Sequence, residues 1–155
     1  EYVMEAAARS GSITCMIYAH EKIHASDEWQ NVLEEAIYSK NIDCVRYAHK
    51  IRKKDYFHSE LIAASEVGNI QILKYIYENY LFCPSRRYNM ANILENTARS
   101  GSLECLKYAN EVIRARPNNN LLKNAKKSKN IECINYTQEI IKGHNNFKCL
   151  MENIA

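Results

Sequence analysis

Along most of this chain apolar residues return every three or four positions, and short polar turns interrupt the runs. Between Leu94 and Ile113 the residues Leu103, Leu106, Tyr108, Ala109, Val112 and Ile113 keep that spacing, the mark of an amphipathic helix. Just before them Leu94, Thr97 and Ala98 make a narrower face of small residues, which lets a neighbouring helix approach closely. Gly101 separates the two runs, at the place where a helix often ends on a left-handed residue. The stretch predicts two short helices joined by a tight turn.

The same pattern is written five times. The copies read M-E-A-A-A-R-S-G-S-I-T-C-M-I-Y-A from Met4, L-E-E-A-I-Y-S-K-N-I-D-C-V-R-Y-A from Leu33 and L-I-A-A-S-E-V-G-N-I-Q-I-L-K-Y-I from Leu61. They continue with L-E-N-T-A-R-S-G-S-L-E-C-L-K-Y-A from Leu94 and L-K-N-A-K-K-S-K-N-I-E-C-I-N-Y-T from Leu122. Those starts give periods of 29, 28, 33 and 28 residues, in the range of repeat architectures whose units stack on their neighbours. F-K-C-L at Phe147 arrives too early for a sixth copy and predicts a capping helix. The expected fold is all-α: an α-solenoid of about five helix-turn-helix repeats near 1–28, 29–57, 58–87, 88–117 and 118–142, closed by a cap over 143–155. It reads as a single array, and because Glu1 falls inside a repeat helix, as part of a longer protein.

The turns carry Gly11, Gly68 and Gly101, whereas copies two and five put Lys40 and Lys129 there, each followed by Asn. The same turn is expected, with a cost of about 1 kcal/mol for a left-handed lysine. Between copies, Ser26 or Asp27 and Asp55 or Ser59 offer caps for the next helix. L-F-C-P-S-R-R-Y-N-M after the third copy is the one insertion, and R-P-N-N-N at 116–120 is a polar, proline-marked turn.

Composition adds bounds. With 46% apolar and 25% charged residues in 155, the chain is long enough to bury a core. No apolar run approaches the roughly 18 residues of a membrane span, so no membrane partner is expected, and no signal-peptide pattern appears. Of six cysteines, Cys15, Cys44, Cys105 and Cys133 share one repeat position, which the third copy fills with Ile72. Stacked helices lie about 8–10 Å apart, beyond the roughly 7 Å Cα limit of a disulfide and too far for shared zinc ligation. The position therefore reads as a buried thiol acting as a small hydrophobe, in a reducing, intracellular compartment. Cys83 and Cys149 lie off the pattern.

The pattern A-x-x-x-G-[SN]-[IL]-x-C-[LVM]-x-Y-A resembles ankyrin repeats, above all the shortened ones of giant-virus proteins, with S-G-S-L-E-C-L-K-Y-A-N-E from Ser100 as the closest stretch. E-N-Y-L-F-C-P at Glu78 is similar to the E-N-G-C-P-W link of those repeats, and D-E-W at Asp27 to its end. The copies lack the T-P-L-H turn, and a 28-residue period leaves little room for β-hairpin fingers, which puts finger-mediated binding in doubt. The resemblance implies an interaction scaffold, in the host cell cytoplasm or a virion if viral, and a histidine after Tyr-Ala that hydrogen-bonds between repeats.

Tyr18, Tyr47, Tyr75, Tyr108 and Tyr136 form a ladder, one per copy. It reads as a core position whose hydroxyl reaches solvent or backbone, against an alternative as a base-stacking strip. His20 and His49 share a register with no third ligand or acid beside them, and Arg46, Lys74 and Lys107 form a basic row read as a solvated outer face. From Arg114 to Lys148, eight basic residues stand against Glu132 and Glu139, a local net charge of +6 that suits nucleic acid, an acidic protein or a soluble terminal repeat. No nucleophile–base motif, phosphate loop, dinucleotide fingerprint or C-x-x-C occurs, so no catalytic residue, cofactor, metal or small-molecule substrate is assigned.

In a stacked repeat, recognition falls to positions that differ between copies. On the first helices these are Arg9, Tyr38, Glu66, Arg99 and Lys127, and the connecting segments add Trp29, Tyr56, Phe57, Arg86, Arg87 and Tyr88. The expected function is a non-catalytic protein–protein interaction or assembly scaffold using that face. The alternatives are a structural, nucleic-acid-associated protein acting through its basic end, and the substrate reader of a ubiquitin-ligase adaptor.

Overall fold

The computed structural model describes residues 2–24, 31–51, 58–80 and 90–152. Among them it is all-helical, with ten helices and no strand. These are α1 (Val3–Arg9), α2 (Ile13–Glu21), α3 (Val32–Tyr38), α4 (Ile42–Ile51), α5 (His58–Val67), α6 (Ile70–Tyr80), α7 (Ala91–Ser100), α8 (Leu103–Glu111), α9 (Leu121–Lys127) and α10 (Ile131–Glu152). Each sequence copy becomes one pair, its turn lying where the glycine or lysine stands. Trp29, Tyr56, Phe57, Cys83, Arg86, Arg87 and Tyr88 lie outside the described residues, as do the expected caps Ser26, Asp27 and Asp55. Ser59 lies inside α5 rather than ahead of it.

The turn is local chemistry repeated. Gly11, Gly68 and Gly101 have φ of +69°, +72° and +76°, and Lys40 and Lys129 adopt the same left-handed conformation at +64° and +58°. A serine one residue earlier braces four of the five turns. Ser10, Ser39, Ser100 and Ser128 each donate their hydroxyl to the carbonyl three residues back and accept the backbone N–H two residues on. That double bond is a local substitute for glycine's freedom, and it accompanies both lysine turns.

The next residue caps the second helix. Ser12 and Ser102 accept the N–H of Cys15 and Cys105, while Asn41, Asn69 and Asn130 accept those of Asp43, Gln71 and Glu132.

The chain forms two compact units, Glu1–Arg86 and Arg87–Ala155. In the first unit α1 packs on α2 and α3, α3 on α4 and α5, α5 on α6, and α2, α4 and α6 follow one another. In the second, α7 packs on α8 and α9, and α10 touches all three. The apolar face at three-and-four spacing is the core in both. Ala36, Ile37, Val45, Leu61, Ile72, Leu73 and Ile76 are buried in the first unit, and Leu94, Ala98, Leu106, Ala109, Leu121 and Ala125 in the second. Cys44, Cys105 and Cys133 are buried thiols, and burial pushes all three above the ordinary thiol pKa. Cys15 departs from the expectation: it is exposed, because no described element covers that side of α2.

The predicted cap is not a separate helix. Residues 131–152 form one uninterrupted α10, running through Gly143, so the second helix of the fifth pair simply continues into the expected cap. Gly143 costs an interior helix about 1 kcal/mol relative to alanine without breaking it.

Candidate interaction surface

The first-helix row predicted from the sequence is placed on α1, α3, α5, α7 and α9, and it behaves differently in the two units. In the first unit it is stitched across pairs. Arg9 donates to both carboxylate oxygens of Glu35, at 2.7 and 2.6 Å, a forked geometry that only guanidinium supplies. Hydrogen bonding to Arg9 holds the Glu35 carboxyl below its usual range, and the same contact raises Arg9. Tyr38 is 44% exposed, yet its hydroxyl donates to Glu66 at 3.1 Å. Partial burial and that carboxylate push its pKa up to about 12. Glu34 is raised by burial first, then by Glu60, Glu35 and Glu66, so an acidic row runs beside α3 and α5.

In the second unit the corresponding acid works inward. Glu95 accepts hydrogen bonds from the carboxamides of Asn118 and Asn124, the latter at 2.7 Å, which ties the 118–120 turn and α9 to α7. The basic residues stay outside: Arg99, Lys123, Lys126, Lys127 and Lys129 are all exposed. Arg99 reaches Asn96 at 3.5 Å within its own helix. Counted over the whole sequence, the first unit has ten basic and twelve acidic residues and the second eleven and six, giving net charges of −2 and +5.

The tyrosine ladder is a set of junctions between pairs. The hydroxyls of Tyr47, Tyr75 and Tyr136 find side-chain partners on the preceding pair, rather than the solvent or backbone expected. His20 Nδ1 and Tyr47 Oη lie 2.8 Å apart, as do His49 Nδ1 and Tyr75 Oη, and the rings meet edge to face. In the second unit Asn110 donates to Tyr136 Oη at 3.1 Å, and that hydroxyl donates to Glu111 at 2.8 Å.

The basic row completes the socket and is not merely a solvated face. The Arg46 guanidinium sits 5.9 Å from the Tyr75 ring centroid and the Lys107 ammonium 5.7 Å from that of Tyr136. Asp43 meets Arg46 only at 4.0 Å, so the predicted within-helix pair is weak. Tyr75 and Tyr136 are thus each held by two residues one helical turn apart: positions 46 and 49 on Tyr75, 107 and 110 on Tyr136.

A second junction escaped the sequence reading altogether. The cap asparagine uses its amide N–H₂ to hold the preceding pair's turn: Asn41 donates to the Gly11 carbonyl at 2.8 Å, Asn69 to Lys40 at 3.3 Å and Asn130 to Gly101 at 2.9 Å. Copies one and four, the first of each unit, carry serine there instead. The signal was present in the sequence as the alternation of Asn and Ser, but its meaning depends on a carbonyl about 29 residues away.

Among the described residues no group of three or more His, Cys, Asp or Glu side chains is placed to hold a metal ion, and no helix is long and apolar enough to cross a membrane. Open cavities lined by described residues include the following two. One, of about 420 Å³, is lined by Asn110, Pro117, Tyr136, Glu139, Ile140, Gly143 and His144. The other, of about 450 Å³, is lined by Val3, Ala7, Thr14, Cys15, Tyr18, Ala19 and Ile23. Comparison with protein-family models, curated proteins and solved structures finds no match to this chain.

Proposed function

We propose that this chain is a non-catalytic protein-binding scaffold, an α-solenoid of shortened ankyrin-like repeats that recognises an acidic protein surface through the α7–α9 face. Support for the architecture comes from junctions that recur in register: the same tyrosine, cap and turn positions bridge successive pairs within each unit. The observation that carries the functional reading is the fate of the variable row. Where the first unit engages Arg9 and Tyr38 with carboxylates of the next pair, the second unit presents Lys127, with Lys123, Lys126 and Lys129, to solvent. Clustered exposed cations of one sign steer an oppositely charged partner.

Binding of nucleic acid is the competing use of the same charge. It draws less support, because the tyrosine on this unit's α10 is engaged by Asn110, Glu111 and Lys107 rather than presented for stacking on bases. The test is the double charge reversal Arg99→Glu with Lys127→Glu, read by affinity capture from native cells, by titration with DNA and RNA across salt, and by thermal melting. Loss of a captured acidic protein at unchanged Tm is expected. A fall in Tm would place the two side chains in the core and end the idea. Salt-dependent nucleic-acid binding that the reversal abolishes, without a protein partner, would transfer the surface to the competing reading.

A further inference from the structure

The first and the last pair of the sequence differ in the side chains they leave uncovered. At the position where Ala8, Ile37, Ser65 and Ala98 are buried, the fifth copy carries Lys126, which is exposed. At the positions that clamp the next tyrosine, it carries the exposed amides Asn135 and Gln138 instead of a cation with His or Asn. The last pair is closed by polar residues. The first pair is not. Its outer side is the 450 Å³ groove, and there Val3 is 42%, Tyr18 61% and Ile23 51% exposed, with Cys15 open beside them.

Three of these positions have covered counterparts on later pairs of the two units. Val32 and Leu121 are buried where Val3 is exposed, Cys44 and Cys133 are fully buried where Cys15 is open, and Tyr47, Tyr75 and Tyr136 are half-buried with hydrogen-bonded hydroxyls where the Tyr18 hydroxyl makes no hydrogen bond to a described residue. The groove is therefore the continuation of the inner junctions, with their tyrosine and cysteine in register.

We infer that the α1–α2 groove is a docking surface for a further helix pair of this same repeat type, one whose second helix presents Lys or Arg and, three residues later, His or Asn to Tyr18. The cation covers the Tyr18 ring, as Arg46 covers Tyr75 and Lys107 covers Tyr136, and the imidazole or amide meets its hydroxyl. A second copy of this chain does not fit that description: its last pair brings Lys126 to the position that must be buried, and Asn135 where the cation belongs. The inference concerns a different surface from the α7–α9 face and stands or falls separately.

The test supplies the occupant. A copy of residues 30–57, which carries Arg46 and His49, is fused directly ahead of Glu1, keeping the 28-residue spacing of Leu33 and Leu61. Cys83→Ser and Cys149→Ser, with serine also replacing the added copy's own cysteine, leave Cys15 as the exposed thiol, and its reaction with a disulfide reagent is followed alongside thermal melting. Docking slows Cys15 labelling at least about tenfold, because a covered thiol reacts only through local opening. The fusion then melts in one transition above the unextended chain. Replacing Arg46 and His49 by Ala in the added copy restores part of the labelling rate. Unchanged labelling together with a separate low-temperature transition for the added pair overturns the proposal. So does concentration-dependent self-association of the unextended chain that protects Cys15, since the occupant is then a second copy.

Discussion

The first helices of the two units carry comparable numbers of charged side chains and use them differently. In the first unit Arg9 and Tyr38 reach forward to Glu35 and Glu66, so polar groups at the edge tie one pair to the next. In the second unit Glu95 turns to Asn118 and Asn124, and Lys123, Lys126, Lys127 and Lys129 remain in solvent. One repeat pattern thus yields a stitched edge and a presented edge. The difference teaches that a position's variability between copies does not by itself mark it for partner recognition. Arg9, Tyr38 and Glu66 of the predicted row are engaged across pairs within the molecule.

The comparison extends from the edge to the core, where it is most easily broken. Leu106 and Ile134 hold equivalent positions, but Leu106 is fully buried and Ile134 only partly. Leu106→Ala is expected to cost about 2–5 kcal/mol, as a cavity in a packed core does, and Ile134→Ala clearly less. Equal losses by chemical denaturation would mean that the last pair is packed as tightly as the inner ones.

A smaller effect separates the two kinds of cap. Asn130→Ala removes a helix cap and a bond to the Gly101 carbonyl, whereas Ser102→Ala removes a cap alone. Losses of about 2 kcal/mol and about 1 kcal/mol are expected, and a Ser102 variant as damaging as the Asn130 one would remove the distinction.

Two substitutions should stabilise the second unit. Thr137 is buried with its hydroxyl unpartnered, where three other copies have alanine, so Thr137→Ala is expected to add about 1 kcal/mol. Lys129→Gly relieves a left-handed lysine and should add a little less, about 0.5–1 kcal/mol. A lower Tm for the glycine variant would show that the Ser128 brace already removes the strain.

The smallest effects are in pH. Glu35 is depressed by Arg9, so their contact contributes stability above the ordinary carboxylate range, and that contribution is lost as pH falls through the folded value. An Arg9→Gln chain should be slightly less stable at neutral pH, where the contact is present, and should match the parent at low pH, where Glu35 is protonated in both. Tyr38 is raised, so its share is present below about pH 10 and disappears as pH rises toward 12. Ultraviolet titration of the phenols should show a late component near 12 that Tyr38→Phe deletes.

Much of this was legible in the residues. The three-and-four spacing gave the helix pairs, the glycines and their lysine replacements gave a left-handed turn, and the shared cysteine position gave a buried thiol in three copies of four. The exceptions have a common cause. Cys15, the continuous α10 and the partners of the tyrosine hydroxyls all depend on what lies beside a pair, which no window of a single copy contains.

By itself, then, the sequence determined the helices, their turns and their apolar faces, because hydrogen bonds and side-chain contacts over three or four residues govern those features. Only the tertiary structure decided which charges are engaged and which are presented. Arg9 meets Glu35, His20 meets Tyr47 and Asn41 meets Gly11 across 26 to 30 residues, and such meetings depend on the separation and rotation of neighbouring helices. The same stacking leaves Tyr18 and its groove open while polar side chains close the last pair.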